Sequence, residues 1–320
     1  MSDKAMKQNQ VRSSQSLGEA QNTRPLAVLW PANWRYYTRM KVIGFLFTLP
    51  VLIFFLTFNV YPIISALAIS FTEFDLFSPM KWVGFENYTN LMTNKYFWSA
   101  IQVTLTFTLF FGPPAWVIGF ALASLIKDKI LGRGFFRSVF FIPTILSAVA
   151  MATAWSLLLR QNGPINAILG LSVPWLTSQQ SALWGIVLMS VWQGTGWFMV
   201  VFLAGLQSIP ETYYEAAKID GADRWQLLRN ITLPLLRPVF AFVVINTIIA
   251  GMKVFTPMFI MTGGGPNNAT RSMAMLIYHE GLRDLRMGRA SAISMVGFLL
   301  ILFLTIIQLR LFRVHEEVGG

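Results

Sequence analysis

Six long apolar blocks, near 42–70, 99–126, 135–159, 182–207, 239–262 and 290–312, constrain this 320-residue chain more than anything else in it. A helix needs about 20 residues to cross the hydrocarbon of a bilayer, and each block is that long. Hydrocarbon supplies no water to backbone N–H and C=O groups, so each block has to satisfy them within itself. Helices do this. A membrane barrel would instead need segments of about 10 residues in strict alternation, and the blocks show neither that length nor that pattern. The expected fold is an all-α membrane protein with six transmembrane helices. Composition agrees: 55% of the residues are hydrophobic and 12% charged, against about a quarter charged in a soluble domain.

A formal net charge of +11 would suit a nucleic-acid binder, but its distribution points elsewhere. With an even number of spans, both termini lie on one side. That side collects seventeen of the Lys and Arg residues, and the opposite loops hold seven. The bias places both termini in the cytoplasm, and a basic surface facing anionic headgroups accounts for the charge without nucleic acid. The chain has no cysteine, which excludes disulfide and thiol chemistry. Its two histidines, His279 and His315, are too far apart in sequence to suggest a metal site. Residues 1–24, rich in Ser, Gln and Asn, read as a disordered tail without a cleavable signal's apolar core. Residues 25–41 mix Trp30, Trp34, Tyr36 and Tyr37 with Arg35 and Arg39, as a segment at the membrane interface would. The chain thus divides into a cytoplasmic tail with an interfacial segment (1–41), a six-helix transmembrane domain (42–312) and a short cytoplasmic tail (313–320).

Between the fourth and fifth blocks lies a polar island, residues 211–238, ETYYEAAKIDGADRWQLLRNITLPLLRP. A connection between spans needs only a few residues; this one has the length of two short helices. Tyr214, Ala217 and Ile219 fall near one face of the first. Trp225, Leu228 and Ile231 fall near one face of the second. Gly221 stands where a helix stops in the left-handed conformation, Asp223 can cap the second helix, and Pro234 follows its end. An apolar stripe on solvent-side helices needs a partner to cover it.

Glu215-Ala216-Ala217, Asp220-Gly221-Ala222 and Ile231-Thr232-Leu233-Pro234 resemble, in order over about twenty positions, the EAA loop of bacterial binding-protein-dependent ABC importers. The resemblance implies a type I importer permease fold and a coupling helix that docks on a cytoplasmic ATPase subunit. Gly84, Glu86-Asn87-Tyr88, Phe97-Trp98 and Thr104 in the first external loop, and Thr262-Gly263-Gly264-Gly265-Pro266 after the fifth block, are similar to the sugar-importing members. An aromatic belt at the outer interface would explain the first of these segments equally well. No GxxxxGK[ST] occurs, so ATP and Mg belong to the partner ATPases and this chain binds no cofactor.

Lys253 is the one charged side chain deep within a block, with no acid in any block to pair with it. A charge at that depth costs at least ~2.5–3.5 kcal/mol on insertion scales, so it is expected to face a cavity or a partner. Helical spacing puts Asn246, Ile249, Ala250, Lys253 and Thr256-Pro257 on one face. The fourth block carries Trp192-Gln193-Gly194-Thr195-Gly196-Trp197, polar and flexible for mid-membrane. The resemblance implies substrate contact at Gln193, Gly194 and Trp197 and near Ala250 and Lys253, and Asn246 joins the expected path on the helical face of the last two. A tryptophan face stacks on sugar rings and a glutamine bonds hydroxyls, and a lysine where maltose-type members carry neutral groups points to an anionic sugar of the uronate or alginate kind.

The expected function is the permease subunit of an ATP-driven sugar importer in a bacterial inner membrane, working by alternating access. Its expected partners are a second, related permease, two cytoplasmic ATPases, a periplasmic solute-binding protein, the oligosaccharide and the lipid bilayer. The alternatives are a permease for a neutral sugar or a glycerol-phosphate-like solute, and an ion-gradient-driven secondary transporter. The last usually carries intramembrane carboxylates, and no block has one. A membrane-bound enzyme fails for want of a catalytic cluster.

Overall fold

The computed structural model describes residues 34–127 and 132–313. The tail at 1–24, the interfacial segment as far as residue 33, the middle of the basic turn at 128–131 and the residues from 314 onward lie outside the described residues. The chain divides after Ile63 into two units. The first unit, so far as it is described, is helical. Helix α1 (Trp34–Phe55) starts within the interfacial segment and widens into a π turn, Leu56–Val60, in which Tyr61 donates its N–H to the Leu56 carbonyl. Wider turns accommodate the N–H that Pro62, just beyond, cannot supply.

The second unit continues from α2 (Tyr61–Ile69) into a two-stranded antiparallel hairpin, β1 (Thr72–Glu73) and β2 (Lys81–Trp82), with Thr72 opposite Trp82. Then come α3 (Glu86–Thr93), α4 (Lys95–Lys127), α5 (Arg133–Ile145), α6 (Ala148–Leu158) and α7 (Pro164–Leu169). They are followed by α8 (Ala182–Ser208), α9 (Glu211–Ile219), α10 (Arg224–Leu227), a second π turn at Leu228–Thr232 and α11 (Leu233–Leu235). The chain closes with α12 (Arg237–Met252), α13 (Thr256–Thr262), α14 (Met273–Tyr278), a third π turn at His279–Arg283 and α15 (Met287–Arg313).

The six blocks are recognisable, but two are not straight helices. Four helical segments are long and apolar enough to span a membrane, and up to six spans result if α5 with α6, and the helix at Arg224–Leu235 with α12, each count as one. The third block bends by 96° between α5 and α6, where Leu146 and Ser147 are extended and Pro143 has removed an N–H from the last turn of α5. The fifth block breaks between α12 and α13. Pro257 has no N–H for the Lys253 carbonyl and its ring would clash with it, so the helix stops at Met252 and restarts at Thr256. The buried Ser272 hydroxyl donates to the Val254 carbonyl at 2.6 Å, which satisfies the break internally.

Helix α8 is the most enclosed long helix of this unit, and its contact with α4 is the largest between any two helices. Phe198, Met199, Phe202 and Leu206 pack there against Ala115, Ala123 and Ile126. A side chain at Gly196 would run into the Phe140 carbonyl of α5. The glycine-rich stretch 192–197 is therefore not the flexible segment its composition suggests. It is a continuous helix that uses a missing side chain to bring two helices together.

Candidate functional site

Residues 211–238 form the helix pair expected from their pattern. Asp220 ends α9, and Gly221 follows with φ +81°. The Gly221 N–H bonds the Lys218 carbonyl at 3.1 Å and the Ala222 N–H bonds the Ala217 carbonyl at 2.9 Å. This two-bond closure depends on a residue that enters the left-handed region without strain. Asp223 and Gln226 then form a reciprocal capping box at 2.7 and 2.8 Å, which starts α10. The helix does not stop before Pro234, as its position suggested. The backbone widens through the π turn and passes Pro234 in the first turn of α11, where a missing N–H costs nothing. It ends at Leu236, where the chain bends by 65° into α12.

The two apolar stripes do not face one way. Tyr214, Ala217, Leu228 and Ile231 are half-buried, whereas Ile219 is 86% and Trp225 66% exposed. Glu215, Ala216, Asp220 and Gly221 are exposed beside them, Ala222 and Pro234 are half-buried, and Leu233 is exposed. The pair therefore has a seated side and a free side. The free side carries two large apolar groups among charges.

The residues expected along a substrate path lie on α8 and α12. Trp197 is half-buried and stacks on Phe242 at 6.0 Å between ring centroids. One turn beyond Phe242, the Asn246 amide donates to the Phe242 carbonyl at 2.8 Å. Asn246 thus stands one turn from the Trp197–Phe242 contact. Gln193 is half-buried and its backbone carbonyl accepts from the Thr144 hydroxyl at 2.9 Å, while Gly194 lies against the Phe111 ring. Ala250 and Lys253 are exposed on α12. Lys253 is not inside a continuous helix. It caps the C-terminus of α12 at the break, where a cation complements the last carbonyls of a helix. Among the described residues, the ion pairs join Glu280 to Arg286 and Arg289, and none involves Lys253.

A third polar region escaped the sequence. The hairpin, α3 and the start of α15 enclose a cavity of about 550 Å³ lined by Glu73, Asp75, Glu86, Asp284, Arg286 and Arg289 among others. Asn87, only 7% exposed, holds it together by donating to the Ser70 and Thr72 carbonyls, both at 2.9 Å. A side chain at Gly288 would strike the Thr72 carbonyl. Backbone N–H bonding from Ser78 keeps the Asp75 carboxyl below its usual range. Burial, with Arg271 and Arg283 nearby, lowers the His279 pKa. Asn87 lies within a segment legible only as similar to a family, and no pattern in the sequence marks it as a pin.

Over residues 26–314 the chain matches the family described as binding-protein-dependent transport system inner membrane component. It is 36% identical to the probable ABC transporter permease protein YesP of Bacillus subtilis, over 86% of this chain and 92% of that one. It is 35% identical to the trehalose/maltose transport system permease protein MalF of Thermococcus litoralis, over 87% and 96%. A crystal structure of a bacterial ABC transporter involved in import of the acidic polysaccharide alginate superposes with a TM-score of 0.75 at 25% identity, covering 88% of this chain and 99% of that one. The helix order, the bent spans and the capped helix pair thus have a common explanation: the chain belongs to the family of inner membrane components of binding-protein-dependent transport systems, with the type I ABC importer permease fold.

Proposed function

We propose that this chain is one half of the transmembrane pathway of an ATP-driven sugar importer and that its substrate is an anionic oligosaccharide. The observation that carries the first part is the helix pair at 211–238. It is rigidly closed by Gly221 and Asp223, seated on one side, and exposes Ile219 and Trp225 on the other. Two large apolar groups on a charged cytoplasmic surface fit a cleft in a soluble partner, here a nucleotide-hydrolysing subunit. The charge bias across the membrane puts this pair and both termini in the cytoplasm. A second, related permease would complete the pore, and a periplasmic binding protein would deliver the sugar.

Substrate charge rests on Lys253. Its exposed ammonium stands at a helix break on the face that carries Asn246 and Ala250, free of any ion pair among the described residues. The likeness to an alginate-importing transporter supports the same reading. A neutral disaccharide is the second reading, favoured by the relative that transports trehalose and maltose.

The test is reconstitution of the permease pair with its ATPases and binding protein. Sugar-loaded binding protein should stimulate ATP hydrolysis, and Glu215→Lys on the free side should remove that stimulation while the chain stays in the membrane. Purified chain alone should neither hydrolyse ATP nor move sugar under a proton or sodium gradient. Gradient-driven uptake by the single chain would sink the proposal in favour of a secondary transporter.

A further inference from the structure

On α9 only Tyr214 and Ala217 are turned toward the bundle; the remaining side chains from Glu211 to Ile219 are exposed. An alanine reaches little. The seating of this helix therefore depends on one aromatic side chain, and that side chain meets α4, the π turn and a buried cluster between helices. Its ring packs against a buried cluster that includes Ile126 of α4, Leu206 of α8 and Leu236, ahead of α12. The Lys127 ammonium, on the last residue of α4, lies 3.9 Å from the ring centroid. A cation there also complements the C-terminal end of the α4 dipole. The Tyr214 hydroxyl lies 3.1 Å from the Thr232 hydroxyl. Thr232, 7% exposed, donates its own proton to the Leu227 carbonyl at 3.2 Å, so the tyrosine is the donor between them. Thr232 closes the π turn that leads into α11 and α12.

We infer that Tyr214 is the positioning residue through which movement of α9 reaches the second and fifth spans. The inference rests on the coupling role proposed above. Helix α9 is joined covalently to α8 through Ile209 and Pro210 and to α10 through Gly221, and both joints are short and non-helical. With Tyr214 in place, a push on the free side is delivered at once to the end of α4 and the start of α12. Without it, α9 can swing about its two joints while the spans stay still. The ring is not fully enclosed. It borders a cleft of about 280 Å³ lined by Ser124, Lys127, Arg224 and Leu227 among others, which gives the contact room to be remade in a second position.

The test uses the whole importer, reconstituted with its binding protein, and reads ATP hydrolysed per sugar imported. Tyr214→Leu should still assemble with the ATPases but raise that ratio about 10-fold. Tyr214→Phe keeps the ring beneath Lys127 and loses only the hydroxyl bond, so the ratio should rise roughly 2- to 3-fold. Lys127→Met should raise the ratio in wild type and add little on top of Tyr214→Leu, whereas Lys127→Arg should preserve it. If Tyr214→Leu fails to assemble, Tyr214→Phe and Lys127→Met carry the test. A wild-type ratio in these variants, or a loss of import that merely follows the amount of assembled complex, would overturn the inference and leave the coupling role standing. A wild-type importer whose hydrolysis does not respond to loaded binding protein would sink the coupling reading itself, and this inference with it.

Discussion

The two polar ends of the second unit are built on opposite plans. The hairpin end is fused to the bundle. Asn87 takes up two backbone carbonyls from a buried position, the Gly288 N–H bonds the Phe74 carbonyl at 3.2 Å, and Tyr88 bonds Ser70 at 2.7 Å. Its contacts are backbone-rich and spread over four elements, so moving it means breaking several buried bonds together. The helix pair at 211–238 is closed within itself by Gly221 and the Asp223–Gln226 box, yet meets the bundle through few side chains. It is rigid as a body and lightly attached. A rigid part on a light attachment can transmit a push; a fused part can only hold a shape. The physical difference lies in where the polar groups find their partners: across elements at one end, within the element at the other.

That contrast can be broken most severely at Gly221. Gly221→Pro cannot adopt φ +81° and removes the N–H that closes α9. Import in membrane vesicles should fall to background while immunoblots show normal membrane levels. Normal import would mean that internal closure of the pair is irrelevant. The hairpin end should behave in reverse. Asn87→Ala leaves the Ser70 and Thr72 carbonyls unpaired, at about 1–3 kcal/mol for a buried group left without its bond. The purified complex should unfold at a lower temperature, with import per folded molecule nearly unchanged. Loss of import at undiminished thermal stability would show that this end acts in transport as well.

A smaller effect is expected at the α12 break. Lys253→Met keeps length and removes charge, so import of a uronate oligosaccharide should drop roughly 10-fold, a neutral sugar should be less affected, and sugar binding to the isolated binding protein should not change. Equal import of the acidic sugar by both forms across a salt series would leave Lys253 as a helix cap only. The smallest effect belongs to the capping box. Asp223→Ala should cost about 0.5–2 kcal/mol of local stability. Faster hydrogen exchange should be confined to the amides of α10 and the π turn; exchange spreading into α12 would mean that the pair is less self-contained than its bonding indicates.

Much of this was legible in the chain itself. Block length and the backbone's need for partners in hydrocarbon lead to helices whatever the packing, and charge asymmetry acts loop by loop, so membrane residence and the expected orientation need no tertiary contact. The Gly221 stop and the Asp223 cap are likewise local, because their hydrogen bonds run over three to five residues. What remained hidden was set by partners distant in sequence. The break at Lys253–Phe255 is foreshadowed by Pro257, but its tolerance depends on Ser272, eighteen positions away. The outward turn of Ile219 and Trp225, against the inward turn of Tyr214, depends on which face of the pair meets Lys127 and Thr232. Helical periodicity says which residues share a face, never what that face meets. The sequence alone therefore determined that the chain crosses a membrane and carries a closed helix pair between its fourth and fifth spans. Only the tertiary structure decided where the spans bend, which side of the pair is seated, and that Asn87 pins the hairpin end while Tyr214 seats the pair, because each of these depends on a hydrogen bond or an aromatic contact made across elements.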